Sequence, residues 1–582
     1  MSTVFQSVEG GEASSGVVAA SSVGDLTFSD AVRRQRFTSE EYARWVQLET
    51  DRLPLDLDMA NTYARALKDW AMEKGADNWA HLWHPLGLNC RVGSLTRKFL
   101  RFQGSETRIF ELRGKDLLHG ETDGSSFPSG GLRGTSRAGG YLSFDPSCNP
   151  YIIGDTVYIP TTFTTFEGFA VDEKTPLLRS IDALCKSGKR VLRLLGVETS
   201  GVYPEVGCEQ EYFLVPYELY EKRPDLVLTG RTLIGQPAKK GQQLSDHYMG
   251  HIRTSVRDCL AEFEDEMWKR NITINTRHTE VAPSQFEFSP VFSRSNQAFE
   301  DNMVMMRVLQ DVAAKYGLVA LLHEKPFAGV NGSGKHNNFS FSSAEGLNFL
   351  APGTTPEENV RFMVGLAAFV RGVDLYSNLL RAAIAVPGND HRLGACEAPP
   401  GIISIYTGDA LFEHIQKVIA GGPLTGYGDS KVLLDTGVSN VAKIPRPADD
   451  RNRTSPLPVG GNRVEFRAVG SSQSVAVVQA FLTVIVADSL DYIAQGIEEQ
   501  IGQGLSVEQA TEQVIREVFA THQRIIFNGD GYSEEWVEEA AKRGLANITN
   551  SADAIKQMVT PETIALMTRT GVLRENEFLA RQ

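Results

Sequence analysis

Cysteine is scarce in this 582-residue sequence: six residues, Cys90, Cys148, Cys185, Cys208, Cys259 and Cys396, with no CxxC pair. That usage argues against a zinc ribbon or a disulfide framework and for reduced thiols in a cytoplasmic protein. Lys and Arg are absent before Arg33, so neither the basic flank of a secretory signal nor an Arg-rich transit peptide is expected. Unbroken apolar runs of about 18 residues are missing, and no membrane span is expected. Positive charge is in deficit: 58 Lys and Arg against 72 Asp and Glu leave a net charge of −14. A phosphate-tracking nucleic-acid surface needs basic stripes, so nucleic acid is not expected as a partner. A small phosphate ligand stays compatible, because cations and a few arginines reverse the sign locally.

The length allows two or more domains around a large core. Residues 1–30, rich in Ser, Gly, Ala and Val, read as a mostly disordered tail. Ala60, Tyr63, Ala64, Leu67, Trp70 and Ala71 recur at helical spacing and predict an amphipathic helix ending near Gly75. The Gly/Ser-rich stretch 121–142 predicts a long loop, and Tyr151–Thr165 is β-rich. These features predict a small N-terminal α+β domain over 31–170. The remainder, 171–582, alternates short β-like runs with helices at 298–316, 357–385, 474–503 and 506–522, then a polar stretch at the end.

The short runs carry charge where strands usually carry apolar side chains. In 208–215 (CEQEYFLV), Glu209 and Glu211 alternate and so share one strand face. In 277–288 (RHTEVAPSQFEF), Glu280 and Glu287 are seven residues apart, which one straight strand would send to opposite faces. Pro283 permits a break or bulge that re-aims the second glutamate. In 462–469 (NRVEFRAV), Arg463, Glu465 and Arg467 take one face and Val464, Phe466 and Ala468 the other. That face is either a surface ladder of ion pairs or an arginine-lined polar channel. Gly329–Lys335 fits the opening G-x-x-x-x-G-K of a phosphate-binding loop, but His336 replaces the required Ser or Thr and a strand-like run follows instead of a helix. The sequence therefore keeps only a Gly-rich turn suited to close backbone approach. Five glutamates and His336 form a donor set suited to Mg²⁺ or Mn²⁺.

The pieces GCEQEYF, RHTEVAPSQFEF, KPFAGVNGSGKHNN, NDHRLGACEAPP and DRNRTSP…NRVEFRAVGSS resemble, in order, the signature blocks of the glutamine synthetase family. PDLVLTGRTLIGQPAKKGQQLSDHYMG and DGSSFPSGGLR resemble its type III branch. The resemblance implies a β-grasp-like N-terminal domain and a catalytic domain whose curved antiparallel sheet is flanked by helices, an α+β fold. It implies ATP-dependent ligation of ammonium to glutamate through γ-glutamyl phosphate, with two or more Mg²⁺ or Mn²⁺ ions per site. It also implies a homo-oligomer, a dodecamer of two hexameric rings.

Carried over residue by residue, Glu211, Glu280 and Glu287 would hold one metal and Glu209, His336 and Glu465 the second. Asn331, Gly332 and Arg392 would contact glutamate, with Arg467 near its reacting end. Arg453 and Arg463 would face phosphate, and Ser340 would lie near the nucleotide. Glu397, on a mobile flap, would be the base, and Asp123 would reach a neighbouring subunit's site and help bind ammonium. Segment 84–100 departs from the branch pattern. The chain closes on EFLARQ where type III relatives continue into a further helical segment, so it reads as a shorter variant or one whose end is lost. A ligase for another amine and a non-catalytic relative are the alternatives. Asp123 favours ammonium, and the complete ligand set argues against a dead scaffold.

Overall fold

The computed structural model describes residues 22–582 apart from 82, 85–90, 93–94, 104–106, 124–138, 238–240, 396–397, 429–431 and 447–451. The predicted N-terminal helix runs over Leu57–Glu73, capped by Asp56, whose carboxylate accepts the Met59 N–H at 2.9 Å. Its apolar face, including Tyr63, Leu67 and Trp70, packs with Phe28, Trp45, Trp79, Phe99 and Val157 in one core. The sheet beneath is ordered Thr96–Lys98, Asn78–His81, Thr156–Ile159, Tyr151–Ile153; its central pair is parallel and the outer pairs antiparallel. A helix gripped by such a mixed sheet is the grasp-like arrangement expected. A second sheet is ordered Thr161–Thr165, Gly139–Phe144, Gly120–Asp123.

The expected tail proves too long. Residues 22–29 are built into this domain: Thr27 bridges Tyr151, and Phe28 is completely buried against Tyr63 and Trp70. Phe28 and Leu26 anchor it together with backbone hydrogen bonds to Pro150, Ile152, Trp268 and Lys269, and composition averages such contacts away.

In the second domain, strand Val202–Cys208 steps through Glu209 into strand Gln210–Pro216, and each belongs to a different sheet. The first sheet is ordered Ser293–Arg294, Val202–Cys208, Asn337–Ser343, Arg463–Phe466, Leu457–Gly460, Ile405–Tyr406. The other is ordered Ile274–Thr279, Gln285–Pro290, Gln210–Pro216, Leu318–Leu321. All pairs are antiparallel except Ile405–Tyr406 with Leu457–Gly460. At the junction the Glu209 N–H donates to the His336 carbonyl (2.9 Å) and the Glu211 N–H to that of Gly334 (3.1 Å). The predicted curved sheet is thus two sheets hinged along one strand segment, and the charged strand ends collect at the hinge.

The expected helices appear as Ser295–Lys315, Pro356–Ala383, Ala476–Gly502 and Val507–His522, joined by Lys174–Leu194. By length and apolar composition, Pro356–Ala383 and Ala476–Gly502 would suffice to cross a membrane, contrary to the reading from unbroken runs. Their most apolar windows are 78% and 83% buried inside the protein, so both serve as core helices. The polar stretch expected at the end instead folds as short helices, and Leu566, Met567 and Phe578 join the main core. Glu577 ties that end to the domain junction, accepting from the Ala170 N–H (2.7 Å) and Arg179 Nη1 (2.9 Å).

Candidate active site

Local folding brings the acids together in a way that the spacing alone left open. Segment 277–288 is neither a straight strand nor a bulged one. It reverses as a hairpin between strands Ile274–Thr279 and Gln285–Pro290. Pro283 sits in the turn, and Ser284 takes a left-handed φ of 62°. Glu280 stands at the turn, Glu287 pairs with both Glu211 and His278, and Glu465 pairs with Asn338. All four glutamates therefore face one pocket together with Glu209 and His336.

His336 is buried at the centre. Its Nδ1 lies 3.2 Å from Glu209 Oε2 and 3.2 Å from Glu465 Oε1, and its Nε2 lies 3.5 Å from Glu211 Oε1. Arg467 Nη1 donates to Glu465 Oε1 at 2.8 Å. Among the described residues, three donor groups close enough to share an ion result: Glu209–His336–Glu465, Glu211–Glu287–His336 and His278–Glu280–Glu287. The first is the second expected metal set. The other expected set, Glu211, Glu280 and Glu287, is divided between two groups that share Glu287. Sequence reasoning gave no role to His278, whose Nε2 is 3.1 Å from Glu287 Oε2 and whose Nδ1 is 3.4 Å from Glu280 Oε1. Its signal was present, two positions before Glu280 on the same run.

Electrostatics shows how costly this cluster is. Burial, then the charges of Glu211 and Glu287, push the Glu280 carboxyl up to about 9. Burial and the neighbouring Glu209 and Glu211 hold Glu287 well above the carboxylate range. Burial and Arg467 oppose protonation of His336, but Glu209 and Glu465 prevail and raise it to about 10. Glu465 is lowered to about 2: burial opposes ionisation, and Arg467 and His336 overcome it. Glu287 Oε1 is buried without a hydrogen-bond partner. Carboxylates crowded this closely without cations are costly. An oxygen-rich set with one imidazole fits Mg²⁺ or Mn²⁺.

Asn331, Gly332, Arg453 and Arg467 line the same pocket. Gln285 Nε2, from the hairpin, holds the loop by donating to the Gly332 carbonyl at 2.9 Å. A Cβ at Gly332 would lie 2.3 Å from the Glu324 carbonyl, so only glycine fits. Arg463 Nε donates to Asn338 Oδ1 (2.6 Å), whose Nδ2 donates to Glu209 Oε1 (3.0 Å). Ser340 lies two residues farther along the same strand face. Arg392 differs from expectation: it is buried behind the pocket wall, donating to the carbonyls of Arg467 (3.1 Å) and Val469 (3.3 Å). Asp123 ends strand Gly120–Asp123, but its side chain lies outside the described residues, as does Glu397. Lys335 is fully buried, donating to Asn302 Oδ1 (2.8 Å) and to the Gln473 carbonyl, so the Gly-rich turn does not offer it to a phosphate.

A grasp-like domain joined to a hinged antiparallel sheet with this acidic pocket defines an α+β protein of the glutamine synthetase fold. The profile described as "Glutamine synthetase type III N terminal" matches residues 20–180; the catalytic-domain profile matches 187–373 and the C-terminal-domain profile 510–582. A "Type-3 glutamine synthetase" from Dictyostelium discoideum is 41% identical over 96% of this chain and 76% of its own length. A "Glutamine synthetase" from Bacteroides fragilis (strain YCH46) is 37% identical over 95% of this chain and 76% of its own. In shape, the chain resembles the solved "GmaS/ADP complex-Conformation 1", with a TM-score of 0.54 at 16% identity over 88% of this chain and 94% of that one. This chain belongs to the glutamine synthetase family, in its type III branch.

Proposed function

We propose that this chain joins ammonia to the γ-carboxylate of L-glutamate using ATP, giving L-glutamine, ADP and phosphate. The observation that carries the reading is the convergence of Glu209, Glu211, Glu280, Glu287, His336 and Glu465 in one pocket with Arg453 and Arg467. The γ-carboxylate is a poor electrophile. Transfer of the terminal phosphoryl group of ATP makes an acyl phosphate, and attack by ammonia then expels phosphate. When bound, two or more Mg²⁺ or Mn²⁺ ions would neutralise charge on the phosphate oxygens. Glu211, Glu280 and Glu287 would hold one, and Glu209, His336 and Glu465 the other, with His278 fixing Glu280 and Glu287. Arg453 and Arg467 stabilise charge at the transferring group. Asn331 and Gly332 bind glutamate, and Arg463 and Ser340 flank the nucleotide. Arg392 supports the wall through its backbone contacts. Glu397 takes the proton from the incoming ammonium, and Asp123 helps bind it from a neighbouring subunit.

The subunit reading extends to a dodecamer of two hexameric rings. Supporting it, the hairpin of Leu433–Leu434 with Ile444–Pro445 exposes Leu433, Leu434, Val438, Val441 and Ile444 together, an apolar patch of the kind that marks a protein interface. A cytoplasmic location is proposed on the buried free thiols Cys148, Cys185, Cys208 and Cys259 among the described residues. The test is product analysis with ATP, Mg²⁺, glutamate and a panel of amines. Glutamine and ADP in equal amounts, with ammonium the best amine, is the expected result. ADP release that does not depend on glutamate, or a different preferred amine, would overturn it.

A further inference from the structure

Segment 526–533 (IFNGDGYS) leads into helix Glu534–Lys542 and touches the catalytic domain at both of its ends. Its first half is tied to Ile405–Tyr406, the edge strand of the first sheet. Ile526 bridges Ile405, and the Phe527 N–H donates to the Ile405 carbonyl at 2.8 Å. Asn528 Oδ1 accepts the N–H groups of Thr407 (2.9 Å) and Gly408 (3.0 Å). The Phe527 ring stacks on buried Trp536 with 3.8 Å between centroids. The second half meets the loop that carries Arg453. The Gly531 N–H donates to Thr454 Oγ1 at 2.9 Å, and the Tyr532 hydroxyl donates to the Arg453 carbonyl at 2.9 Å. A Cβ on Gly531 would lie 2.5 Å from the Thr454 carbonyl oxygen, so only glycine allows this approach. The Arg453 side chain meets Tyr248, from the arm 241–250 between strand Gln210–Pro216 and helix Thr254–Lys269. The Tyr248 hydroxyl accepts from Arg453 Nη2 at 3.4 Å, and its ring centroid lies 5.4 Å from the guanidinium.

We propose that Tyr532 and Gly531 are positioning residues for Arg453. This rests on the reading that Arg453 faces the transferring phosphoryl group. An arginine stabilises phosphate charge best at hydrogen-bond distance, and its reach is set by where its backbone stands. Arg463 and Arg467 have that backbone fixed, since they lie on or directly after strand Arg463–Phe466. Arg453 lies in a loop. Asn452 Oδ1 shapes that loop from within, accepting the N–H groups of Thr454 (2.9 Å) and Ser455 (2.6 Å). Beyond it, Ser455 Oγ donates to the Ser404 carbonyl at 3.4 Å. The Arg453 end is held from outside by Tyr532 and Gly531. Their own segment is braced on the sheet edge and on Trp536, so the loop takes its place from the same sheet that carries Glu465 and Arg467. The C-terminal part of the chain thereby sets the phosphate side of the pocket without touching the reacting atoms.

Two variants and two readouts test this. Tyr532→Phe keeps the ring and deletes one hydrogen bond, which corresponds to about a fivefold fall in kcat/KM for ATP. Gly531→Ala drives the Thr454 carbonyl back by about 1 Å, and misplacement on that scale should lower kcat/KM by about ten- to a hundredfold. In Tyr532→Phe the KM for glutamate should move less than about twofold. A double-mutant cycle decides whether the effect runs through Arg453. In an Arg453→Ala background, Tyr532→Phe should cost less than about twofold, because the group it positions is gone. The full fivefold loss in that background, or no loss from Tyr532→Phe alone, overturns the proposal. Nucleotide binding supplies a readout independent of turnover. Affinity for the non-hydrolysable β,γ-imido analogue of ATP should fall in both variants, while affinity for ADP stays within about twofold. Equal losses for the two nucleotides would mark a merely structural role and refute the positioning of Arg453. A wild-type enzyme with no glutamate-dependent ADP release would instead sink the functional reading, and the comparison of the two nucleotides would still decide the role of Tyr532.

Discussion

Removing divalent cations should make this protein's stability fall steeply with pH, and restoring them should flatten the curve. The argument starts from Glu280, raised from 4.5 to about 9, and His336, raised from 6.5 to about 10. In both, the folded chain holds a proton that the unfolded chain releases earlier. Their stabilising contribution is complete below the unfolded values and is lost as pH rises through the folded ones. The slope is about 1.4 kcal/mol per pH unit for each proton held. Between pH 7 and 8.5 each group therefore forfeits about 2 kcal/mol in the metal-free protein, an upper figure because the groups interact. A cation entering the cluster takes the place of those protons. Binding at pH 7 should release at least about one proton per chain, and apparent affinity should rise at least about tenfold per pH unit.

The assay is thermal unfolding at matched ionic strength in MgCl₂ or EDTA, from pH 6.5 to 8.5. The gain in Tm from Mg²⁺ should grow across that range, since ligand stabilisation follows the logarithm of affinity. Calorimetric titration in two buffers of different ionisation enthalpy counts the protons directly. A Tm gain that is flat or shrinking with pH, or release of fewer than about half a proton, would refute the account of the cluster as a cation site.

Glu465→Ala should raise the Mg²⁺ concentration needed for half-maximal turnover by at least about tenfold, because it removes a carboxylate from the Glu209–His336–Glu465 group; an unchanged metal titration would take Glu465 off the ligand list. Lys335→Ala should lower Tm by several degrees through about 3 kcal/mol of lost burial and unsatisfied acceptors at Asn302 and Gln473, while ATP affinity in the surviving folded protein stays unchanged. A loss of ATP affinity without a loss of stability would revive the phosphate-loop reading. Glu397→Ala should slow glutamine formation about 10²–10⁴-fold at saturating ammonium and spare ATP binding; a change under about threefold would remove it as the base.

The catalytic strands were legible because polar residues alternate on them. Val464, Phe466 and Ala468 are buried while Arg463, Glu465 and Arg467 face the pocket side, as period-two reasoning requires. Helices with long apolar periodicity were placed within a few residues. What the residues alone could not give was how separate strands meet. The seven-residue gap between Glu280 and Glu287 is explained by a hairpin, and a hairpin is a tertiary fact: it needs strand Gln210–Pro216 beside Gln285–Pro290 to fix the register that faces Glu287 with Glu211. The placement of Arg392 was not legible. Its sequence neighbours mark a flap, but the Arg467–Val469 backbone turns under the site and provides carbonyls that the guanidinium satisfies.

The same contrast bears on how the site is built. Gathering five glutamates at a sheet hinge is costly for stability, since carboxylates buried side by side must be compensated. Hydrogen bonding inside the protein compensates only some of them: the Gly334 N–H donates to Glu211 Oε2 at 2.7 Å, and Asn338 and His336 serve Glu209. Glu280 and Glu287 instead have His278 and each other nearby, and they are the two pushed upward. The uncompensated charge is therefore localised at the hairpin rather than spread over the pocket, and the hairpin is also where the 241–250 arm comes down through His247 and Tyr248. An ion at that position would relieve repulsion in the hairpin, from which Thr279 Oγ1 donates to the His247 carbonyl of segment 241–250. Cation and glutamate binding in this one pocket should then be coupled, and by reciprocity glutamate should tighten the cation as much as the cation tightens glutamate.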